Sequence, residues 1–163
     1  MPVDQQHECM STPTSSAASP EHAGELRVVV GVDGSECGTR ALAFAAHEAA
    51  LRGALLQVVS AYEEIPYVMA WPVVPSGPDQ VTAGAIVDES LAQVQEIEPQ
   101  IVSKGEIRYG PAGNALVEVS RGAALLIVGS RGRSQMAGLL LGSVSEHCVH
   151  HAAAPITVVR CPR

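Results

Sequence analysis

Aromatic residues are scarce in this chain, which has one Trp, one Phe and three Tyr among its 163 residues. A core of ordinary size must therefore be built from Ala, Val, Leu and Ile, which suit helices packed on a parallel sheet. Apolar residues make up 47% of the sequence, and the length suits one domain with one hydrophobic core. These features favour an α/β fold.

Positively charged residues are also few: the chain has 10 Lys and Arg against 17 Asp and Glu, which gives a net charge of −7. Neutralising nucleic-acid phosphates requires clustered Lys and Arg, so the composition argues against general nucleic-acid binding. The sequence has no apolar run of membrane-spanning length and no basic-then-apolar leader pattern. We therefore expect a cytoplasmic protein without nucleic-acid or membrane partners.

Cysteines are present but show no paired spacing, since Cys9, Cys37, Cys148 and Cys161 lie far apart in the sequence. In a reducing cytoplasm such cysteines stay as thiols. We expect all four to serve packing rather than redox sensing.

Strand and helix patterns alternate after residue 24. Buried strands are predicted at 26–32, 55–60, 101–109, 125–129 and 156–160, and helices at 37–52, 78–97, 112–121 and from Ser143 onwards. Gly53 is the predicted stop of the first helix. The alternation implies right-handed βαβ crossovers and an all-parallel sheet that is covered by helices on both faces.

Two segments fall outside this alternation. Residues 1–24 are rich in Ser, Thr, Pro and Ala without apolar periodicity, so we predict a disordered tail, or alternatively a docking arm, before a single domain at 25–163. The proline-rich stretch 63–78 is too long for a minimal crossover. We predict that it covers a site or lies in an interface.

One loop carries the strongest functional pattern. The apolar run 125–128 ends at Gly129, Gly132 follows, and nine residues later Gly142-Ser143 begins a helix. Glycines let backbone N–H groups approach a ligand closely, and a helix N-terminus favours an anion. This is neither a P-loop nor a dinucleotide fingerprint, because G-x-x-x-x-G-K-[ST] and a strand-linked G-x-G-x-x-G are both missing. The stretch is a predicted phosphate site.

The spacing G-x-x-G-x9-G-S resembles the signature of the universal stress protein family in its nucleotide-binding branch. The resemblance covers 25–160 and implies an open five-stranded parallel sheet of order 3-2-1-4-5, a Rossmann-like fold of the adenine-nucleotide alpha-hydrolase type. It implies ATP as the ligand, with Mg²⁺ left open as its companion. It also implies a homodimer formed through the last strand, Ile156 to Arg160.

The predicted binding positions lie at or just after three strand ends and at one helix start: Gly31, Val32, Asp33, Ser35, Val58, Val128, Gly129, Ser130, Arg131, Gly132, Arg133, Gly142, Ser143 and Val144. Among them, Gly129, Gly132, Gly142 and Ser143 match the phosphate-binding positions of the family one for one. Asp33 matches the segment that faces the nucleoside, where a strand-end carboxylate accepts hydrogen bonds from a ribose. From the residues alone a turn role is equally open, because Asp-Gly is a common turn pair. Val58 matches a position whose backbone faces the base, and it is a core valine as well.

Some of these residues have rival explanations. Arg131 and Arg133 suit a polyphosphate, or they are solvent-facing loop residues. Ser143-Val144-Ser145-Glu146 is a capping box, so we predict that Ser143 caps its helix in the empty protein and that a phosphate displaces this arrangement.

His147 and His151 are four residues apart and could chelate a metal from one helix face. A third ligand is missing, and the family resemblance implies no metal. We predict ordinary helix-surface histidines near a helix C-terminus, where the dipole favours them.

Two classes of function fit these residues. Phosphoryl-transfer enzymes need Mg²⁺ ligands, a positioned Lys or Arg, and a residue that orients the nucleophile. The segment 129–143 contains no Lys and no acid, and no second strand-end carboxylate accompanies Asp33. We predict a regulatory ATP-binding module of the stress response that is not a dedicated enzyme. Slow ATP hydrolysis, a cyclic nucleotide as the ligand, and a nucleotide-free interaction module remain the alternatives.

Overall fold

The computed structural model describes residues 26–63, 78–133 and 140–161. In this part of the chain the elements follow in the order β1 (Arg27–Gly31), α1 (Glu36–Arg52), β2 (Leu55–Tyr62), α2 (Gln80–Ile97), β3 (Ser103–Tyr109), α3 (Ala112–Val119), β4 (Leu125–Gly129), α4 (Ser143–His151) and β5 (Ile156–Val159). The predicted tail and most of the predicted proline-rich loop lie outside the described residues, so both predictions stay predictions.

The five strands form one parallel sheet of order β3-β2-β1-β4-β5. Register is continuous along each pair, for example Val30 opposite Val58 and Val128 opposite Val158. The predicted fold class and strand order are confirmed. The order reverses between β1 and β4, so the crossovers leave in opposite directions there and open a crevice at the carboxyl ends of the strands.

The core lies on both faces of the sheet. Val28, Val29 and Val30 at the centre of β1 are all fully buried, because helices cover the strand on each side. Val28 and Val30 belong to the cluster that packs with α1 and α2, whereas Val29 belongs to the cluster that packs with α3 and α4. This double covering explains why β1 reads as an uninterrupted apolar run rather than an alternating one.

Local chemistry sets the ends of the helices. The Oγ of Ser35 accepts a hydrogen bond from the N–H of Gly38 at 3.1 Å and caps α1. Gly53 ends α1 in the left-handed region, with φ of 58°, so the predicted stop is confirmed. Asp79 caps α2 by accepting a 2.7 Å hydrogen bond from the N–H of Thr82. This helix begins two residues later than predicted. None of the described helices is long and apolar enough to cross a membrane.

A polar ladder crosses the sheet at the end opposite the crevice. Arg27 donates to Oε1 of Gln57 at 2.9 Å, and Gln57 in turn donates to the carboxylate of Glu106. Arg27 also donates to the carbonyl oxygens of Val119, at 3.2 Å, and Arg121. A cation therefore satisfies carbonyl groups at the C-terminus of α3 and fixes that end of the helix to the sheet.

Candidate functional site

A cavity of about 400 Å³ opens at the carboxyl ends of β1, β2 and β4, in the crevice where the strand order reverses. This volume and position are typical of small-molecule sites in open α/β sheets. The residues that line it come from the strand ends and from the starts of α3 and α4: Gly31, Val32, Asp33, Gly38, Val59, Ala61, Glu63, Pro78, Gly110, Pro111, Ala112, Gly113, Asn114, Leu116, Val128, Gly129, Arg131, Gly132, Arg133, Gly142, Ser143, Val144, Ser145 and His147.

Asp33 is held just beyond β1 by three hydrogen bonds. Its Oδ1 accepts from the N–H of Ser35 at 3.0 Å and from the Oγ of Ser35 at 2.6 Å. Its Oδ2 accepts from the N–H of Arg133 at 2.9 Å. An ionised carboxylate has about four lone-pair sites, so Asp33 keeps acceptor capacity for a ligand. The same carboxylate therefore ties the chain after β4 to the end of β1.

Gly129 at the end of β4 and Gly132 just after it are required by close packing. A Cβ on Gly132 would lie 2.6 Å from Oδ2 of Asp33, and a Cβ on Gly129 would lie 2.9 Å from the carbonyl carbon and oxygen of Cys37. Both distances are shorter than ordinary van der Waals contacts. Gly142 differs, because its Cβ would meet no atom closer than 3.6 Å. We call residues Gly129–Arg133 the β4 loop.

Ser130 joins the two ends of the segment that connects β4 to α4. Its carbonyl oxygen accepts a hydrogen bond from the N–H of Gly142 at 2.8 Å and another from the Oγ of Ser145 at 3.1 Å. The same hydroxyl lies 2.9 Å from the carbonyl oxygen of Gly142, so its single proton is shared between the two acceptors. The chain therefore leaves β4 and returns to α4 at nearly the same point. Ser145, which the sequence pattern does not assign to the site, makes this closure.

The N-terminus of α4 faces the cavity without a side-chain cap. Gly142 is the capping residue, the N–H of Glu146 donates to its carbonyl at 2.9 Å, and within the described residues no side chain caps this helix. The predicted capping box is wrong. Ser143 would have to be the N-cap residue, but Gly142 holds that position and Ser143 is the first residue of the helix. The predicted empty-state cap at Ser143 is therefore also wrong. The first-turn N–H groups of Ser143 and Val144 have no intrahelical acceptor, and both residues line the cavity.

Most of the predicted site residues line the cavity. Ser35 and Ser130 lie behind its wall and position Asp33 and the β4 loop through their hydrogen bonds. Val58 is fully buried under α1 and α2, which confirms the prediction of a core valine, and it is not among the residues that line the cavity. That its backbone faces the base stays a prediction. Successive residues of a strand face opposite sides, and Val59 and Ala61 line the cavity instead.

Sequence reasoning misses two parts of the wall. The turn from β3 into α3 contributes residues 110–114, which the sequence marks only as a turn and a helix start. The available signal is Gly110-Pro111 directly after a strand, since it places a helix start at the carboxyl edge of the sheet. Glu63 follows β2 and also lines the cavity. The expectation that Asp33 is the only strand-end carboxylate at the site is therefore wrong.

His147 differs from the predicted helix-surface histidine, because it lines the cavity. It packs against Gly113, where an added Cβ would lie 2.7 Å from its Cδ2. Its ring centroid is 4.3 Å from that of His151, which is exposed. In the described part of the chain, no group of three or more His, Cys, Asp or Glu side chains is arranged to hold a metal ion.

The cysteines do not all stay apart. Cys37 and Cys161 form a disulfide with their Cα atoms 5.6 Å apart, so the prediction of four separate thiols is wrong for this pair. They are 124 residues apart in sequence and meet only because the end of β5 lies beside the start of α1. Cys148 is free and buried, and burial raises the pKa of its thiol to about 11. Cys9 lies outside the described residues.

A sequence model of the universal stress protein family matches residues 26–160, which include every strand and helix of this fold. The chain belongs to the universal stress protein family. Universal stress protein Rv2623 of Mycobacterium tuberculosis is 37% identical to it over 140 residues, which are 85% of this chain and 46% of the relative. Universal stress protein Rv2005c of the same organism is 39% identical over 142 residues, with 86% and 46% covered. The chain spans about half the length of the curated relatives it matches.

Solved structures of universal stress proteins have the same architecture. One crystallised in complex with cAMP has a TM-score of 0.65 and 29% identity, and the match covers 83% of this chain and 97% of that one. Another, from Archaeoglobus fulgidus, has a TM-score of 0.68 at 22% identity and covers 82% and 98%. The second likeness concerns the fold alone.

Proposed function

We propose that this universal stress protein binds ATP and acts as a regulatory module of the stress response. The observation that supports this most is that Asp33, the β4 loop and the N-terminus of α4 meet around one cavity. An acceptor for ribose hydroxyls and a backbone that favours anions thus lie within reach of a single ligand.

The phosphates would lie between the β4 loop and the first turn of α4. Ser143 offers its N–H and its hydroxyl, and Val144 offers its N–H, in a helix without a side-chain cap. Arg131 and Arg133 both line the cavity and bring positive charge to the same side. The apolar residues Val59, Ala61 and Leu116 line the cavity on the side of β2 and α3 and suit a purine base.

A cyclic nucleotide is the second candidate, because a relative of 29% identity was crystallised with cAMP. Cyclic AMP carries a single phosphate with one negative charge, whereas ATP carries a polyphosphate. Two arginines at the cavity match the larger negative charge better. We therefore propose ATP as the preferred ligand and cAMP as a weaker one.

We propose binding rather than turnover. In the described residues no three acids, histidines or cysteines are arranged for a metal, so Mg²⁺ would be held mainly by the phosphates of the nucleotide and by water. Glu63 adds a carboxylate to the wall, but the segment 129–143 contains neither a lysine nor an acid to assist phosphoryl transfer. Slow hydrolysis of the bound nucleotide is the enzymatic alternative.

Calorimetric titration of ATP into nucleotide-free protein tests this proposal. We expect one site per chain, a Kd on the order of micromolar, and binding to cAMP at least about tenfold weaker. Gly132→Val should abolish the heat signal, because even a Cβ at this position meets Asp33. Gly84→Val is the matched control, since no atom lies within 4 Å of a Cβ at Gly84, which lies on α2 and does not line the cavity.

Far-UV circular dichroism first establishes that both variants are folded. Equal affinity for ATP in the wild type and Gly132→Val would contradict the assigned site. A wild type that binds neither ATP nor cAMP would leave a nucleotide-free interaction module as the function, and tighter binding of cAMP would favour the cyclic nucleotide.

We also propose that two copies associate through β5. This strand is at the edge of the sheet next to β4, and all four of its residues are partly exposed. Exposed edge strands tend to pair with another strand. Sedimentation equilibrium at micromolar concentration should give twice the chain mass of 16.9 kDa. A mass equal to that of one chain would refute the dimer.

A further inference from the structure

Two segments, the start of α1 and the end of β5, hold the first residues of the β4 loop. The start of α1 packs on Gly129 so closely that a Cβ there would lie 2.9 Å from the backbone carbonyl of Cys37. The end of β5 holds the next residue, because the N–H of Ser130 donates to the carbonyl of Val159 at 2.7 Å. Cys161 comes two residues after Val159. The disulfide between Cys37 and Cys161 therefore joins the two segments that enclose Gly129 and Ser130.

We propose that Cys37 and Cys161 form a reversible redox tether that fixes the β4 loop against α1 and β5. Resting on the proposed function, the tether also strengthens ATP binding, because the loop that faces the phosphates is ordered before the ligand arrives.

The positions of the two thiols support this assignment. Their Cα atoms are 5.6 Å apart, within the range of native disulfides. Cys37 is nearly buried, at 6% exposure, whereas Cys161 is partly exposed and can meet a small reagent first. Cys148 does not compete, since it is fully buried and burial raises the pKa of its thiol to about 11. In a reducing compartment a disulfide of this kind is transient, which suits a switch rather than a permanent brace.

A low-molecular-weight disulfide is the oxidant that this step requires. The Cys161 thiol loses its proton, and its sulfur attacks one sulfur of the small disulfide, forming a mixed disulfide and releasing one small thiolate. The Cys37 thiol then loses its proton and attacks the sulfur of Cys161, which releases the second small thiolate. The two thiolates take up the two protons. The protein loses two electrons and the small disulfide gains them.

The tether should stabilise the folded protein because it closes a long loop of the chain. It links positions 124 residues apart, and the loss of unfolded-chain entropy grows with the size of the closed loop. Cys37 packs on Gly129, and Cys161 follows by two residues the Val159 carbonyl that bonds Ser130, so local opening of the β4 loop should become rarer when the bond is formed.

The test compares full-length protein equilibrated with glutathione disulfide and with dithiothreitol. Oxidised protein should lose two free thiols per chain, and a proteolytic digest should contain the peptide that links Cys37 to Cys161. We expect its melting temperature to rise by about 5–10 °C. Hydrogen exchange at the Ser130 amide should slow on the order of tenfold. The Kd for ATP should fall by about threefold or more.

Cys161→Ser should show none of these differences between the two buffers, whereas Cys9→Ser should behave as the wild type. No linked Cys37–Cys161 peptide, or a linked peptide with unchanged melting and unchanged exchange at Ser130, would overturn the tether. A changed exchange rate with an unchanged Kd for ATP would overturn its link to the nucleotide. If neither redox state binds ATP while melting and exchange both respond, the tether is supported and the proposed function is contradicted.

Discussion

Asp33→Ala should weaken ATP binding by about 100-fold, because it removes a charged acceptor for the ribose and releases the β4 loop. The lost contacts include the 2.9 Å hydrogen bond from the N–H of Arg133 and two hydrogen bonds from Ser35. Isothermal titration calorimetry of ATP binding measures the effect. Asp33→Asn should lose about tenfold, because an amide keeps one acceptor oxygen but turns a donor toward one of these partners.

Asp88→Ala is the matched control for this prediction. Asp88 is exposed on α2 and does not line the cavity, so its removal changes the net charge by the same amount without touching the site. Equal losses of affinity in Asp33→Ala and Asp88→Ala would show that overall charge, rather than the contacts of Asp33, governs binding. Unchanged affinity in Asp33→Ala would exclude Asp33 as the ribose ligand.

Gly129→Ala should lower the free energy of unfolding by about 3 kcal/mol. The new methyl group would lie 2.9 Å from the backbone of Cys37, and that backbone cannot rotate away as the end of a side chain does. One of the two segments must shift, so ATP binding should also be lost. Urea denaturation in reducing buffer measures the stability, since the disulfide is then open in the wild type and in the variant.

Gly142→Ala provides the comparison within the same segment. A Cβ at Gly142 meets no atom closer than 3.6 Å, and its φ of −83° is open to any residue. Its cost should be about 1 kcal/mol or less, because alanine is a poorer helix cap than glycine. Similar losses of stability in the two variants would show that the approach of Gly129 to α1 is not the cause.

Most of the fold could be predicted because its signals are local. The apolar runs 28–30 and 125–128 mark strands that are covered on both faces, and Gly53 marks a helix end through its left-handed conformation. The order of the strands cannot be predicted from such local signals, since crossovers in either direction fit the same alternation of strands and helices. It came from the resemblance to the universal stress protein family, and the strand pairing confirms it.

The position of Asp33 and of the glycines of the β4 loop at one cavity was predictable, because spacing and chemistry agree there. It was not predictable where one residue of register decides the outcome. Ser143 is not the cap, because α4 begins one residue earlier than the serine–glutamate pattern suggests. The alternation of side chains along β2 likewise decides that Val59 and Ala61, rather than Val58, line the cavity. The meeting of Cys37 and Cys161 depends on the complete fold, which no short pattern in the sequence reports.

The hydrogen bonds to the carbonyl of Ser130 fix the two ends of the segment that connects β4 to α4. Its carbonyl is bonded to both Gly142 and Ser145, so the chain between Ser130 and Gly142 starts and ends at a fixed stem. Doubling the length of such an excursion adds only about 0.6 kcal/mol of closure entropy. Insertions, deletions and exchanges of sequence between Arg133 and Gly142 can accumulate while the β4 loop and the amides at the start of α4 stay in place. The length and sequence of this segment can therefore change without rebuilding the part of the protein that we propose holds the negative charge of the ligand.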